Sequence, residues 1–280
     1  MLHDDEKYYW NGNDRDYSSI EIFNLDCNEL MDKWINTECD KCNNGMFDIV
    51  IVDPPFGIDF KANMGQYNRD DQYVIEYNDI PADKYSDFTK EWMGRVTKVL
   101  KETGVLWVVS GWTNVDIIRS WARFNGLHLL NEIIWHFPFG VFHRGKKFIS
   151  SHYNISLFVK DKKKHYHDPE AYFKFKEGKG NNKENYEDRQ DVWTIKREYV
   201  KGKKKTATVL PRDLVYKMIW YTSKQGDMLL DPMMGSGVTL DIGLESGLSV
   251  VGIEKDKETF DFAYENLKES FEMSYDEPNT

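Results

Sequence analysis

The residues Phe47-Asp48-Ile49-Val50-Ile51-Val52 form a short β-branched apolar run that stops at Asp53-Pro54-Pro55. Proline lacks an amide proton and fixes φ, so neither a helix interior nor a central strand continues through such a pair. The run is therefore predicted to be a buried strand ending in a rigid turn. A helix is expected between about Ala82 and Lys101, because Phe88, Trp92, Val96 and Val99 recur at three- and four-residue spacing. Gly104 then serves as its stop signal. Val105–Val109 reads as a second strand, Thr113–Phe124 as a helix, Leu130–Trp135 and Ile155–Val159 as two more strands. Towards the C-terminus come a helix at Leu210–Thr222, a strand at Met228–Leu230, a helix at Gly237–Ser246, a strand at Leu248–Ile253 and a helix at Lys257–Phe271. This alternation predicts an α/β fold with a largely parallel sheet.

With 280 residues, 40% apolar, the chain can bury one core without disulfides or metals. Cys39 and Cys42 are formally a C-x-x-C, but no second pair completes a four-ligand zinc site, and a polar loop that holds two thiols is the plainer reading; no metal is expected. The start of the chain lacks the halves of a signal peptide and no apolar stretch reaches membrane-spanning length, so a cytoplasmic protein with no membrane contact is expected. The net charge of −10 argues against a polyanionic partner until its distribution is considered. From Val141 to Lys205 there are 18 Lys and Arg against 9 Asp and Glu, a local excess of +9. Either this is a basic face on an acidic body, or runs such as Lys162-Lys163-Lys164 are solvated loops.

Two motifs carry chemistry. Asp53-Pro54-Pro55-Phe56 sits at a strand end, where a carboxylate and the carbonyl before a rigid turn can accept both N–H groups of a base amine. That amine is a poor nucleophile whose lone pair is delocalised into the ring. Phe56 can stack on the base and stabilise developing positive charge. The second motif, Leu229-Leu230-Asp231-Pro232-Met233-Met234-Gly235-Ser236-Gly237-Val238-Thr239, runs from a strand through a glycine-rich turn into a helix. Glycines allow close approach to a ligand, and the free N–H groups of a helix start suit a carboxylate. Glu254 follows at the end of the next strand, placed to take two ribose hydroxyls. A nicotinamide site would read similarly, but the full G-x-G-x-x-G is absent.

Together these residues resemble the amino-group DNA methyltransferases, whose catalytic motif is D-P-P-Y or D-P-P-F and whose cofactor motif is D-P-F-x-G-S-G. The order here, catalytic motif first, is that of the β group. Val96-Thr97-Lys98-Val99-Leu100-Lys101 resembles the family's R-V-L-K helix end, Ile133-Ile134-Trp135-His136 its I-I-W-K strand, and Leu210-Pro211-Arg212-Asp213-Leu214 the helix start that closes over the cofactor. The chain departs in carrying Met233 and Met234 for Phe and Ala, His152-Tyr153 for His-Glu, and Thr206-Ala207-Thr208 where a His-containing segment is common.

The resemblance implies a Rossmann-like, S-adenosylmethionine-dependent methyltransferase fold with circularly permuted motif order. It divides the chain into a catalytic half at 17–159, a target-recognition insertion at 160–205 and a cofactor-binding half at 206–271. It implies S-adenosylmethionine as cofactor, DNA as partner, and methylation of adenine N6 on a flipped-out base, as in restriction-modification systems. Cytosine N4 is the alternative, as is a non-catalytic nucleic-acid-binding subunit; the absence of a Pro-Cys motif removes the usual route to cytosine C5. The implied cofactor residues are Asp26, Asp231, Pro232, Met233, Gly235, Ser236, Gly237, Thr239, Glu254, Thr208 and Pro211, with Asp26 equally readable as a plain strand-end turn. Arg144, Lys146, Lys147, Lys162, Lys163, Lys164, Lys203 and Lys204 are the candidate DNA contacts. Phe139, Phe142 and His143 either line the base pocket or brace a loop. An insertion of under fifty residues is small for surrounding a duplex, which points to a homodimer or a partner subunit.

Overall fold

The computed structural model describes residues 7–11, 18–37, 45–58, 74–75, 79–141, 148–171, 173, 181–197, 205–206 and 209–275. In chain order the elements are β1 (Lys7–Asn11), β2 (Ser19–Phe23), α1 (Cys27–Ile35), β3 (Phe47–Val52), β4 (Val74–Ile75), α2 (Tyr85–Val99), β5 (Leu100–Ser110), α3 (Val115–Phe124), β6 (His128–Val141), β7 (Ser150–Val159), α4 (Asn182–Asp188), β8 (Val192–Thr194), β9 (Lys205–Thr206), α5 (Arg212–Thr222), β10 (Met228–Asp231), α6 (Val238–Glu245), β11 (Ser249–Ile253) and α7 (Lys257–Tyr275). Among the described residues one nine-stranded sheet runs β1-β2-β11-β10-β3-β5-β7-β6-β8. The block from β2 to β5 is parallel, β7 is antiparallel to both its neighbours, and β8 pairs parallel with β6.

The strands are apolar on both faces because helices cover both. Ile49 and Ile51 of β3 face Leu214, Met218, Leu240, Phe260 and Leu267 of α5, α6 and α7. Phe47, Val50 and Val52 face Leu30, Trp92, Met93, Val96 and Ile118 of α1, α2 and α3. Trp107 of β5 is buried and donates its indole N–H to Thr222 Oγ1 at 2.9 Å, tying α5 to the sheet. No helix of the described residues is long and apolar enough to cross a membrane.

Three expectations are corrected. The second helix ends at Val99, and Leu100 already has extended backbone, so Gly104 is not its stop. Gly104 belongs to a bulge in β5 where the register against β3 jumps from Phe47↔Leu100 to Ile49↔Val105. A Cβ there would come 2.7 Å from the Leu100 side chain and 3.0 Å from the Phe47 carbonyl oxygen, and this crowding is what requires glycine. Second, from Lys160 to about Lys205 the sequence pattern dissolves into Lys, Asn, Glu and Gly and predicts no regular element, yet helix and strand occur there. Asn181 caps α4 through a capping box with Glu184, β8 joins the main sheet, and Trp193 is buried in the core. Asp188 accepts from Lys217 and, at 2.6 Å, from the Tyr221 hydroxyl, fastening this segment to α5.

The third correction concerns direction. Because β7 runs antiparallel to β5, it carries the chain back, and its last residue pairs with Val105 at the start of β5. Lys162, Lys163 and Lys164 therefore emerge at the sheet edge opposite the Asp53 turn, where Lys164 meets Asp161 at 3.3 Å and Glu102 at 3.8 Å. They do not face the cleft described next.

Candidate active site

Parallel strands deliver the functional side chains to one edge. β3 ends at Val52 and releases Asp53; its neighbour β10 ends at Asp231; β11 ends at Ile253 and releases Glu254. Ligand sites in open α/β sheets lie at these carboxyl ends. Here they open into a cleft of about 560 Å³ lined by Asp53 and Pro55, by Asp231, Met233, Gly235, Ser236 and Thr239, and by Asp26 and Glu254. Asp53 and Pro55 of the first motif thus share one cavity with the second, and Phe56 stands outside its lining.

Several sequence-predicted residues do not line it. Pro54 and Pro232 are buried in their turns. Pro211 is the extended N-cap residue of α5, and it is the preceding Val209 and Leu210 that face the cleft. Gly237 has φ +83, and a Cβ there would come 3.1 Å from Leu267, so it lets α6 close on α7. Gly235, with φ +52, is different: a Cβ would meet no atom within 4 Å and would stand in the cleft itself. Thr208, Arg144, Lys146, Lys147, Lys203, Lys204, Phe142 and His143 lie outside the described residues, as do Cys39 and Cys42; Phe139 falls within β6.

Glu254 is oriented by two backbone donors. Its Oε2 accepts from Gly235 N–H at 3.1 Å and its Oε1 from Asp256 N–H at 2.8 Å, which leaves lone pairs on both oxygens for a diol. Asp26 caps α1, accepting from Asn28 N–H at 2.9 Å, while its other oxygen lies 3.4 Å from Lys255 Nζ. Asp26 therefore shapes the turn and also lines the cleft. Asp231 accepts from Met233 N–H at 3.1 Å and from the Thr239 side chain.

Electrostatics mark the same place. Burial, reinforced by the charge of Asp231, pushes Asp53 up to about 7. Burial also pushes Asp231 up to about 7, against its hydrogen bonds from Met233 and Thr239, and raises Glu254. Three carboxylates that resist ionisation together favour a cationic ligand. Cys27, whose thiol burial pushes up to about 12, lines the wall as a small apolar group.

Phe56 packs edge-on to Tyr153, centroids 5.0 Å apart, and Tyr153 in turn contacts Trp135 and Phe137. The Arg197 guanidinium lies 4.0 Å from the Phe137 ring centroid and 4.9 Å from that of Tyr153. Sequence reading missed this aromatic backing and the cleft residues Ile80, Phe88, Asp256 and Thr259. None has a local signature, since the fold alone brings them to the site.

A glycine-rich strand-to-helix turn and the carboxylates Asp53 and Glu254 thus meet in one cleft at the carboxyl ends of parallel strands. Residues 47–265 match the DNA methylase family N6_N4_Mtase, and the chain belongs to it. Family membership makes S-adenosylmethionine the cofactor, and the acidic, glycine-lined walls of this cleft fit a cationic sulfonium nucleoside. The chain is 28% identical over 243 residues to the type II methyltransferase M.HinfI of Haemophilus influenzae, covering 81% of this chain and 64% of that protein's length. Among solved structures it resembles an M1.HpyAVI–SAM complex, with a TM-score of 0.64 at 21% identity over 89% of this chain and 98% of that one. It also resembles the cytosine-N4-specific PvuII DNA methyltransferase, with a TM-score of 0.67 at 15% identity over 95% of this chain and 94% of that one.

Proposed function

We propose that this chain transfers a methyl group from S-adenosylmethionine to the exocyclic amine of a base in DNA, N6 of adenine, with the base turned out of the helix. The observation that carries the reading is that Asp53 and Pro55 share one cleft with the Asp231–Thr239 turn and Glu254. An Asp at the head of the catalytic motif, where the N4-cytosine enzymes more often have Ser, supports adenine.

When bound, the cofactor supplies a methyl group on a positively charged sulfur. The protein's part is positional and electrostatic. Glu254 holds the ribose hydroxyls, and Gly235 leaves room for the methionine end beside the start of α6. Ionised Asp53 accepts an N–H of the base amine, making the nitrogen more electron-rich and fixing its direction. Phe56, backed by Tyr153, offers a ring to the extruded base and to the positive charge that develops on it. Phosphate contacts fall in this proposal to Arg144, Lys146, Lys147, Lys203 and Lys204, and the small insertion favours a homodimer or a partner subunit.

The test is methyl transfer from labelled cofactor to mixed-sequence duplex DNA, followed by nucleoside mass analysis. N6-methyladenine is the expected product. N4-methylcytosine would keep the reaction and correct the base, and cofactor binding without any product would replace the enzyme by a non-catalytic subunit.

Glu254→Gln is expected to weaken S-adenosylmethionine binding about 10- to 100-fold by calorimetry. It replaces a charged acceptor, whose hydrogen bonds contribute roughly 1.5–3 kcal/mol, and sets an amide NH₂ against Gly235 or Asp256 N–H. Unchanged affinity would remove Glu254 from the cofactor site.

A further inference from the structure

The turn that follows Asp53-Pro54-Pro55 belongs to no strand or helix, yet consecutive peptide groups in it are held by two side chains from distant parts of the chain. Asp79, in the segment leading to α2, accepts from Gly57 N–H on Oδ1 at 2.8 Å and from Ile58 N–H on Oδ2 at 2.9 Å. Its Oδ1 also accepts from Ile80 N–H at 3.0 Å. Asn114, the residue before α3, donates from Nδ2 to the Phe56 carbonyl at 2.7 Å and to the Gly57 carbonyl at 3.1 Å. An acceptor-only group thus meets the donors of the turn, and an amide donor meets its acceptors.

The backbone between them has little freedom. Gly57 has φ +63, and a Cβ there would lie 2.2 Å from the buried Tyr85 ring, so the peptide lies flush against that ring. The Phe56 ring is bounded by Tyr153, and also by Gly111, where a Cβ would come 3.4 Å from it. Neither Asp79 nor Asn114 lines the cleft.

We propose that Asp79 and Asn114 are positioning residues for methyl transfer, a two-sided clamp that aims the Phe56 ring without touching base or cofactor. The inference rests on the methyl-transfer reading above and not on which base is modified. A displacement of about 1 Å at a reacting centre can cost on the order of 10²-fold in rate. Asp79→Ala and Asn114→Ala should therefore each lower kcat about 30- to 100-fold while leaving cofactor affinity within about twofold.

The deciding experiment is a double-mutant cycle with Phe56→Ala, read as kcat at saturating DNA, with cofactor Kd and Tm recorded for each protein. If the clamp acts through Phe56, Asp79→Ala adds no further loss in the Phe56→Ala background. Additive losses, an unchanged kcat, or a Kd that rises in step with the fall in kcat would each overturn it. Should Asp79→Ala fail to fold, Asn114→Ala carries the same cycle. Amide hydrogen exchange gives a readout independent of activity: Gly57 and Ile58 should lose protection in Asp79→Ala without cofactor or DNA, and retained protection would overturn the clamp. An inactive wild-type protein would count against the function proposed above, while the exchange measurement still decides the clamp.

Discussion

Asp53→Ala is expected to lower methyl transfer about 10³-fold, the scale of removing one aimed hydrogen-bonding group from a reacting centre, while S-adenosylmethionine still binds. Asp53→Asn should lose as much activity, because half of its amide presents N–H to a substrate amine that also presents N–H. The two variants differ in stability. Burial and the charge of Asp231 push the Asp53 carboxyl up to about 7, so at pH 8 the folded protein holds an ionised group that water would solvate better. A shift of that size corresponds to a ceiling of about 4 kcal/mol. Asp53 is half-buried and faces the cleft, so solvent brings the expected gain for Asp53→Asn nearer about 1–2 kcal/mol. That is a Tm rise of roughly 3–6 °C at pH 8. Thermal melts beside single-turnover assays test both halves. An active Asp53→Asn enzyme would remove Asp53 from the reaction, and a less stable one would mean that its carboxylate makes a stabilising contact in the fold.

The core of this site was legible because its signals are local in sequence. A β-branched run closed by Asp-Pro-Pro, and another closed by a glycine-rich turn, each specify a strand and what stands at its carboxyl end; parallel pairing of β3 with β10 does the rest. The register that sets Leu229 beside Ile49 is not written near either residue. It follows from both strands being apolar on two faces and needing helices on each. Where tertiary context decides, the sequence was silent. Val192-Trp193-Thr194 is a strand only because β6 offers an edge, and Gly104 reads as a helix stop until Leu100 and Phe47 are seen to crowd it.

Charge was visible as composition but not as direction. The +9 excess between Val141 and Lys205 includes Lys162–Lys164, and one antiparallel strand sends these to the far edge of the sheet. Arg197, from the same stretch, comes instead to the aromatic group behind Phe56. Asp79 and Asn114 carry no motif, because what they recognise is the backbone of a turn about twenty residues and more than fifty residues away.

Cofactor affinity is expected to depend on pH through the same carboxylates that give the cleft its character. Asp53 and Asp231, pushed up to about 7 chiefly by burial, and Glu254, also raised by burial, face one cavity. A carboxyl whose folded pKa is raised holds a proton that the unfolded chain has already released. Its contribution to stability is therefore fully present below about pH 4 and is lost as pH rises towards 7. The cofactor-free protein should thus lose stability from these groups across that range. A ligand bearing a sulfonium charge favours their ionised forms, so its binding releases protons and strengthens as pH rises. The Kd for S-adenosylmethionine should fall roughly tenfold between pH 6 and pH 8, about the change that one proton released over part of that range produces. S-adenosylhomocysteine, which lacks the sulfonium charge, should show a clearly shallower dependence. Calorimetry in buffers of differing ionisation enthalpy measures the proton release directly. Equal pH slopes for the two ligands would show that the carboxylates do not read the charge on sulfur, and would leave the elevated pKa values of Asp53 and Asp231 as a consequence of burial alone.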